Sequence, residues 1–441
     1  MSLILKVMSV LVASALPFFL PSHIHGQSLY EMLERAVEEH NLIQAAEAGK
    51  GAAGQAVNQA RGEWYPHVSG SANVGREYID PARDHLFDSA SDKSSTSRTR
   101  NIQNLRARQL VYDFGKSGSG VKRASAGLER SDAAVSAARQ DIMIQGISAY
   151  LDVYRHSQRL RLARESEQRI IELTGIEETL VEKGAGLASD VLQAKSQLAG
   201  ARAMRIRMEG QLSNALNRFR TVFGYKLTQK QIEEMLIPSR PVDHLPATLE
   251  EALGIADKNS LDLHMADLDI EMAMHEIRFR ESRYFPNLHL VGEISRKEND
   301  AGARGTRRES RGMLELSWDI FSGGKDMAAV SEARYNMTEQ KKRRDDLNHL
   351  VQERVLVAWQ NLITSRENAR FLRDQANIME EFLQLAKRER MLGTRSLLDV
   401  LNGEVTYLNA LSSSISADID QDMAMYDMLY SMGRLELEVL R

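Results

Sequence analysis

Two acidic residues stand near the start of two predicted helices, where a carboxylate can act structurally or electrostatically. Asp190 lies in the segment GAGLASDVLQA and Asp399 in the segment GTRSLLDVLN; each segment leaves a glycine turn and enters a helix-forming run. The helix dipole stabilises a carboxylate in the first turn by ~0.3–1 kcal/mol, and Ser396 with Asp399 resembles a capping pair. The sequence favours this capping role, and a further role for the charges stays open.

The chain shows no spacing that is typical of a catalytic or metal site. Gly115-Lys116-Ser117 resembles the end of a phosphate-binding loop, but the first glycine of that motif is missing, so a strand-to-helix turn is the better interpretation. The histidines have no HExxH or paired metal spacing. The absence of cysteine excludes disulfides and a lipid anchor on cysteine. We therefore predict a protein that is not an enzyme and has no cofactor.

The element that leads to Asp399 is a run from Lys325 to Leu392, roughly 68 residues without glycine or proline. Because helix interiors exclude both residue types, the run predicts one unbroken helix about 100 Å long. Its apolar positions have the 3.5-residue period of a coiled coil: Val355, Ala358, Leu362, Ala369, Leu372, Ala376, Met379, Leu383 and Ala386. A second, patchier stripe predicts a neighbour on the other flank: Leu356, Trp359, Ile363, Ile378, Phe382 and Leu385.

The same long helix is predicted twice, which indicates an internal duplication. The run from Lys116 to Lys183 has the same length and is bounded by similar turns. A constant offset of 209 residues pairs Lys116 with Lys325, Asp190 with Asp399 and Gly224 with Gly433.

The first 26 residues are predicted to be a secretory signal peptide. Lys6 precedes an apolar run from Val7 to Leu20, and the mature chain is predicted to begin near Gln27. No later stretch reaches the ~18 apolar residues of a transmembrane helix. The net charge of −4 argues against nucleic acid as a partner.

Two pairs of extended segments interrupt the helical pattern. Alternation of apolar and polar residues begins after Pro66 in the first repeat and after Pro286 in the second, and each strand is about 9–12 residues long, the length of a tilted membrane-crossing strand. Aromatic residues at the strand ends are typical of a membrane interface: Trp64, Tyr65, Tyr112, Tyr284, Phe285, Trp318 and Phe321. Four strands cannot close a barrel, so several chains are expected to share one.

The domain organisation follows from the duplication. Residues 1–26 form the signal peptide, 27–224 the first repeat, 225–247 a linker and 248–441 the second repeat. Each repeat is predicted to contain a helix, two strands, a long helix and a further helix; in the first, the outer helices are Ser28–Glu63 and Leu187–Phe223. The three prolines of the linker (Pro238, Pro241 and Pro246) favour a collar around a helical tube.

At GTRSLLDVLN and its copy GAGLASDVLQA the chain resembles the TolC family of outer-membrane export channels, over almost the whole mature sequence. The resemblance implies a homotrimer with a shared twelve-stranded transmembrane β-barrel in the outer-membrane lipid and a long periplasmic α-helical tunnel. It also implies docking to a periplasmic adaptor protein and to an inner-membrane ABC or proton-driven transporter. The stretch LVYDFGK (110–116) is similar to family members that serve type I secretion of proteins, including adhesins.

The resemblance also implies a gate at the periplasmic end of the tunnel. The matching positions are Arg395, Asp399 and Asn402 in the second repeat and Ser189 and Asp190 in the first. Family members carry a second acidic residue where this chain has Asn402, and a tyrosine where it has Arg390. By this analogy Asp399 would line the constriction, while Arg395 would bridge to the neighbouring tip near Ser189 and Asp190.

Two alternatives remain at this point. A coiled-coil scaffold of the cell envelope without a pore would share the helical pattern, but it would not form a detergent-stable membrane trimer.

The basic residues between the last two strands are predicted to lie in a solvated loop, with lipopolysaccharide phosphates as the alternative contact: Arg296, Lys297, Arg304, Arg307, Arg308 and Arg311.

Overall fold

The computed structural model describes residues 28–79, 96–184, 187–302 and 304–440. The signal peptide and most of the polar loop between the first two strands lie outside this part of the chain. The helices and strands are α1 (Leu29–Glu39), α2 (Asn41–Gly62), β1 (His67–Ile79), β2 (Thr96–Tyr112), α3 (Lys116–Glu182), α4 (Ala188–Phe223), α5 (Gln229–Glu233), α6 (Leu249–Asn259), α7 (Leu261–Glu281), β3 (Asn287–Glu298), β4 (Thr306–Ser317), α8 (Lys325–Met391) and α9 (Leu397–Ser431). None of these helices is long and apolar enough to cross a membrane.

The two long helices confirm the predicted duplication. Helices α3 and α8 each contain 67 residues and begin at Lys116 and Lys325, the positions that the offset pairs. Each follows a glycine with positive φ: Gly115 at 88° and Gly324 at 80°. Because only glycine adopts this conformation without strain, the two strand-to-helix turns are specified by the same residue type.

The outer helix that precedes the strands is broken in both repeats. His40 is extended, with φ −70° and ψ 130°, and its Nδ1 accepts a hydrogen bond from Leu42 N at 3.2 Å. Ser260 takes the same role in the second repeat, where its Oγ accepts from Leu263 N at 3.3 Å. The prediction of one helix over Ser28–Glu63 is therefore wrong at this point, because one extended residue ends α1 and caps α2.

The predicted coiled-coil seam of α8 packs against α9. Seven of its nine apolar positions are buried, and Leu372 and Met379 are half-buried. Most of the second stripe is exposed within a single chain: Leu356, Ile363, Ile378, Phe382 and Leu385. An apolar stripe of this length along one helix is typical of a surface that another chain covers.

The four strands form one antiparallel sheet in the order β1-β2-β3-β4. Strands β3 and β4 have 12 residues each, as predicted, whereas β1 has 13 and β2 has 17. One face carries a set of exposed apolar residues: Val68, Val74, Leu105, Leu290, Ile294, Leu314 and Leu316 are all more than half exposed there. Most charged residues of the strands lie on the opposite face, whereas Arg76, Arg296, Glu298 and Arg308 share the apolar face at the end remote from the helices. Within the described strands, β1 and β4 each keep one unpaired edge.

The basic residues near the last turn lie mostly on strands, so the prediction of a solvated loop is wrong for five of the six. Arg296 and Lys297 belong to β3; Arg307, Arg308 and Arg311 belong to β4. The strands extend further than expected, up to Glu298 and from Thr306, and Asn299 N donates a hydrogen bond to Gly305 O at 2.9 Å just beyond the last strand pair.

Aromatic residues cluster where the sheet meets the helices. The ring of Phe114 stacks on Phe285 at 5.0 Å and meets Tyr112 edge-on at 4.7 Å. Trp318 Nε1 donates a hydrogen bond to the backbone oxygen of Tyr284 at 3.1 Å. The aromatic residues that the sequence places at the strand ends are therefore neighbours in the fold, in a ring typical of a membrane interface.

Candidate functional site

The two helical hairpins end in turns, and we call the described residues of these turns the tip: 183–184 and 187–188 in the first repeat and 391–397 in the second. Each turn contains a glycine of positive φ, Gly184 at 75° and Gly393 at 78°. In the second repeat Ser396 caps α9, since its Oγ accepts from Asp399 N at 3.1 Å. The corresponding cap position of α4 is Leu187, which offers no side-chain acceptor. The Ser396 half of the predicted capping pair is therefore present, and it uses the backbone N–H of Asp399.

The candidate gate residues surround these turns. Ser189, Asp399 and Asn402 are exposed, while Asp190 is half-buried and accepts a hydrogen bond from the Ser189 hydroxyl at 3.3 Å. Asn402 Oδ1 accepts from Gln197 Nε2 at 3.3 Å, so this contact joins α9 of the second repeat to α4 of the first.

Arg395 contacts residues of its own hairpin. Its Nη1 lies 3.2 Å from Glu389 Oε2, and its guanidinium lies over the Phe382 ring at 5.1 Å from the centroid. Within the described single chain, Arg395 has no contact with Ser189 or Asp190. A bridge from Arg395 to a neighbouring tip would have to form in addition to these contacts or replace them.

Arg390 forms the closest link between the two hairpins at the tip. Its Nη2 donates to both carboxylate oxygens of Glu177, at 3.1 and 3.2 Å, and its Nη1 donates to the backbone oxygen of Arg395 at 3.3 Å. The Glu177 side chain is only 3% exposed. Charge-assisted bonds in such a poorly solvated place contribute about 1.5–3 kcal/mol. Arg390 therefore ties the long helices α3 and α8 together.

A buried carboxylate lies about two turns above the tip. Glu404 is fully buried; its Oε2 is 3.0 Å from Lys387 Nζ, and its Oε1 forms an ion pair with Arg169 Nε. The three residues come from α9, α8 and α3, so the ion triad joins three helices. Burial raises the pKa of the nearby Tyr407 phenol, and the charge of Glu380 adds to this shift.

The linker of residues 225–247 lies against the middle of the helical body. The Tyr150 hydroxyl donates to Leu236 O at 2.8 Å, and the Tyr426 hydroxyl donates to Ser239 O at 3.1 Å. Arg240 Nε pairs with the buried Asp422 at 2.6 Å; burial nevertheless raises the pKa of that carboxyl above its usual range. These contacts fix the linker at one level of the helices, and its role as a collar stays a prediction.

Glu177 and Glu404 were missed from the sequence, although their spacing carried a signal. Glu404 follows Leu397 and Leu401 and precedes Leu408 at the four-three spacing of buried helix positions, and Glu177 follows Ile170 and Thr174 in the same way. A charged residue at a seam position predicts a buried ion pair. In the part of the chain that the structure covers, no group of three or more acidic or histidine residues could hold a metal ion.

Three features together define a tunnel-forming protein of the cell envelope: long paired hairpins, an open four-stranded sheet with an apolar outer face, and polar tips. The sequence profile named outer membrane efflux protein matches residues 32–225 and 252–433, one match for each repeat. The chain belongs to the outer membrane efflux protein family, and it is an outer-membrane export channel with a large periplasmic part.

Individual relatives agree with this assignment. The outer membrane protein TolC of Vibrio cholerae is 21% identical over 440 residues, which cover 98% of this chain and 96% of that protein. The alkaline protease secretion protein AprF of Pseudomonas aeruginosa is 22% identical over 411 residues, with 91% and 81% of the two chains covered. The crystal structure of the outer membrane protein VceC from Vibrio cholerae superposes with a TM-score of 0.75 at 16% identity, covering 92% and 96%.

Proposed function

We propose that three copies of this chain form one continuous duct, in which the sheets close a twelve-stranded barrel through the outer membrane and the long helices form a periplasmic tunnel. The observation that carries the proposal is the sheet itself. It has an exposed apolar face, and β1 and β4 each have an unpaired edge among the described strands. Backbone groups of a strand edge cannot remain unpaired in lipid, so β1 of one copy has to pair with β4 of the next.

The helices support the same assembly. The exposed apolar residues of α8, such as Leu356 at 46% and Ile378 at 59%, face away from the seam that packs on α9. Burying such a stripe against a neighbouring copy contributes roughly 25 cal/mol per Å² of apolar surface. The duct would then be closed by helix packing below the membrane and by strand pairing within it.

The tip is proposed as the gate of this tunnel. Asp399 is exposed and lies in the first turn of α9, so three copies around an axis would form a ring of carboxylates, with Asn402 one turn further along. Ser189 and Asp190 would line the same opening from the first repeat. Opening would require the hairpins to separate, and the contact of Arg390 with Glu177 opposes that movement.

The duct is expected to work with a periplasmic adaptor and with an inner-membrane transporter, ABC or proton-driven. Its cargo is proposed to include secreted proteins as well as small toxic molecules. The similarity to AprF, whose name records the secretion of a protease, supports the protein cargo. The stretch 110–116, which includes Tyr112 of β2 and the glycine turn before α3, supports the same branch of the family.

The pore itself is tested with purified protein in detergent and in planar lipid bilayers. The proposal expects a trimer that resists dodecyl sulfate without heating and gives discrete conductance steps. A scaffold without a pore would form elongated helical oligomers that give no conductance. A monomer that keeps its full strand content in the absence of detergent would contradict the shared barrel.

Asp399→Ala should weaken the block of the pore by multivalent cations and shift its selectivity away from cations. The carboxylates of three copies attract cations in a narrow, poorly solvated neck. The reversal potential under a KCl gradient measures the selectivity. The concentration of a trivalent cation that halves the conductance measures the block.

Ser396→Ala is the matched control for the gate. It removes the side chain that caps α9, at a cost of about 1 kcal/mol, and it leaves the Asp399 carboxylate in place. Asp399→Ala, by contrast, keeps the cap, because Ser396 accepts from the backbone N–H. If block and selectivity change with Ser396→Ala and not with Asp399→Ala, the Asp399 carboxylate does not line the pore.

A further inference from the structure

The polar face of the sheet carries more basic than acidic side chains. Strand register and alternation place seven basic residues on this face: Arg98, Arg100, Arg106, Arg108, Lys297, Arg307 and Arg311. The acidic residues of the same face are Glu77, Glu293, Glu309 and Glu315. Four carboxylates therefore stand against seven cations, an excess of three positive charges on the described strands of each chain.

Three of the seven cations are each paired with a carboxylate. Arg106 Nη2 is 3.3 Å from Glu293 Oε2, and Arg108 Nη2 is 3.0 Å from Glu315 Oε1. Arg100 lies 2.6 Å from Asp300 of the last turn. Each such pair is close to neutral, so the excess of positive charge has to lie elsewhere on the face.

The excess is concentrated in the Glu309 cluster, which consists of Glu309, Lys297, Arg307 and Arg311. One carboxylate is shared by three cations: Lys297 Nζ at 3.1 Å, Arg307 Nε at 2.5 Å and Arg311 Nη2 at 3.0 Å. The Glu309 side chain is 13% exposed, whereas those of Arg311 and Arg307 are 55% and 75% exposed. Two uncompensated positive charges therefore remain, and the accessible groups that carry them are guanidinium groups.

We propose that the Glu309 cluster is an anion-binding belt on the inner wall of the barrel, near the end remote from the helices, which favours the passage of cargo with carboxylate or phosphate groups. The inference rests on the proposed function, because the polar face is the inner wall only in a closed barrel. Apolar side chains on the opposite face of the same strands meet the lipid in that arrangement.

The chemistry of the belt follows from the groups that it presents. A guanidinium donates two parallel hydrogen bonds to a carboxylate or a phosphate, and rings of arginine and lysine are the usual lining of anion-conducting pores. Threefold repetition would set three such clusters around one lumen, with six uncompensated charges. The proposed Asp399 ring at the opposite end of the duct is negatively charged. The barrel end is therefore expected to favour anions, and the tip is expected to favour cations.

The experiment compares the wild-type pore with the double variant Arg307→Gln and Arg311→Gln in planar bilayers under a KCl gradient. The double variant should shift the reversal potential toward that of potassium. Block by inorganic triphosphate, added on the side of the barrel, should weaken at least tenfold, because the loss of even one charge-assisted hydrogen bond contributes about that factor. The double variant Arg307→Lys and Arg311→Lys should keep the selectivity of the wild type.

A matched control exists on the other face of the same two strands. Arg296 and Arg308 are paired in the register, next to Lys297 and Arg307, so Arg296→Gln with Arg308→Gln removes the same charge from the outer wall. This control should leave selectivity and block unchanged. Two results would overturn the belt. One is an equal shift of the reversal potential in both double variants. The other is a conducting Arg307→Gln, Arg311→Gln trimer that keeps the selectivity of the wild type. A wild-type trimer that never conducts would instead overturn the proposed function.

Discussion

Replacing both Arg169 and Lys387 by methionine should destabilise the tip region by about 3–5 kcal/mol, because Glu404 would then be a buried carboxylate without a cation. Glu404 is 0% exposed and lies between three helices. Methionine keeps the length and the apolar stem of both side chains, so packing is largely preserved and the loss reports the missing charges. Hydrogen exchange of the α9 amides around Glu404 measures the effect.

Glu404→Gln is the control for this double variant. It leaves two cations unpaired, but the side chains of Arg169 and Lys387 are 36% and 35% exposed and can turn toward water. The expected loss is therefore smaller, about 1–3 kcal/mol. Adding Glu404→Leu to the double variant should restore protection, since an apolar triad replaces an ionic one at little net cost. If the double variant exchanges no faster than Glu404→Gln, the carboxylate does not depend on these cations.

The Glu404 triad and the Arg390 contact join the helices near the tip at two levels. Arg390 holds the two hairpins together at their ends, and Glu404 holds α3, α8 and α9 together about two turns above. Separation of the hairpins at the tip would therefore have to break the Arg390 contact, whereas the Glu404 triad would still join the three helices further from the tip.

The repeated architecture could be predicted from the sequence because it depends on local signals. Glycine turns with positive φ stand at equivalent places in both repeats, and the run from Lys325 contains neither glycine nor proline, so helix ends and lengths followed directly. The period of 3.5 residues also located most of the α8 seam. The cap formed by Ser396 and Asp399 could be predicted for the same reason, since it lies within four residues.

The remaining features depend on contacts between distant residues. His40 and Ser260 are residue types that also occur inside helices, so their extended conformation and their caps on α2 and α7 could not be told from residue type alone. The sharing of Glu309 by three cations requires the register between β3 and β4, which no local pattern supplies. Glu177 and Arg390 are 213 residues apart in the chain, so their pairing follows only from the duplicated fold.

The duplication also supplies a pair of glycines for comparison, Gly224 and Gly433, which end α4 and follow α9. Both have positive φ, 79° and 70°. Apart from its neighbours in the chain, no described residue would have an atom within 4 Å of a Cβ at Gly224, whereas a Cβ at Gly433 would stand 2.4 Å from Asn259 O and 2.9 Å from Asn259 C. These are backbone atoms at the break between α6 and α7, and they cannot rotate away as a side chain can.

We expect Gly433→Ala to destabilise the protein by about 2–5 kcal/mol and Gly224→Ala by only about 1–2 kcal/mol. Both variants add the strain of a left-handed alanine, about 1–2 kcal/mol, and Gly433→Ala adds overpacking against the Asn259 backbone, about 1–3 kcal/mol. Urea unfolding of the detergent-solubilised trimer, followed by tryptophan fluorescence, compares the two. Because the conformational strain is common to both positions, the difference between the variants isolates the contact between the end of α9 and the α6–α7 break. Equal losses would mean that the chain at Asn259 moves aside and that this contact does not fix the position of α9.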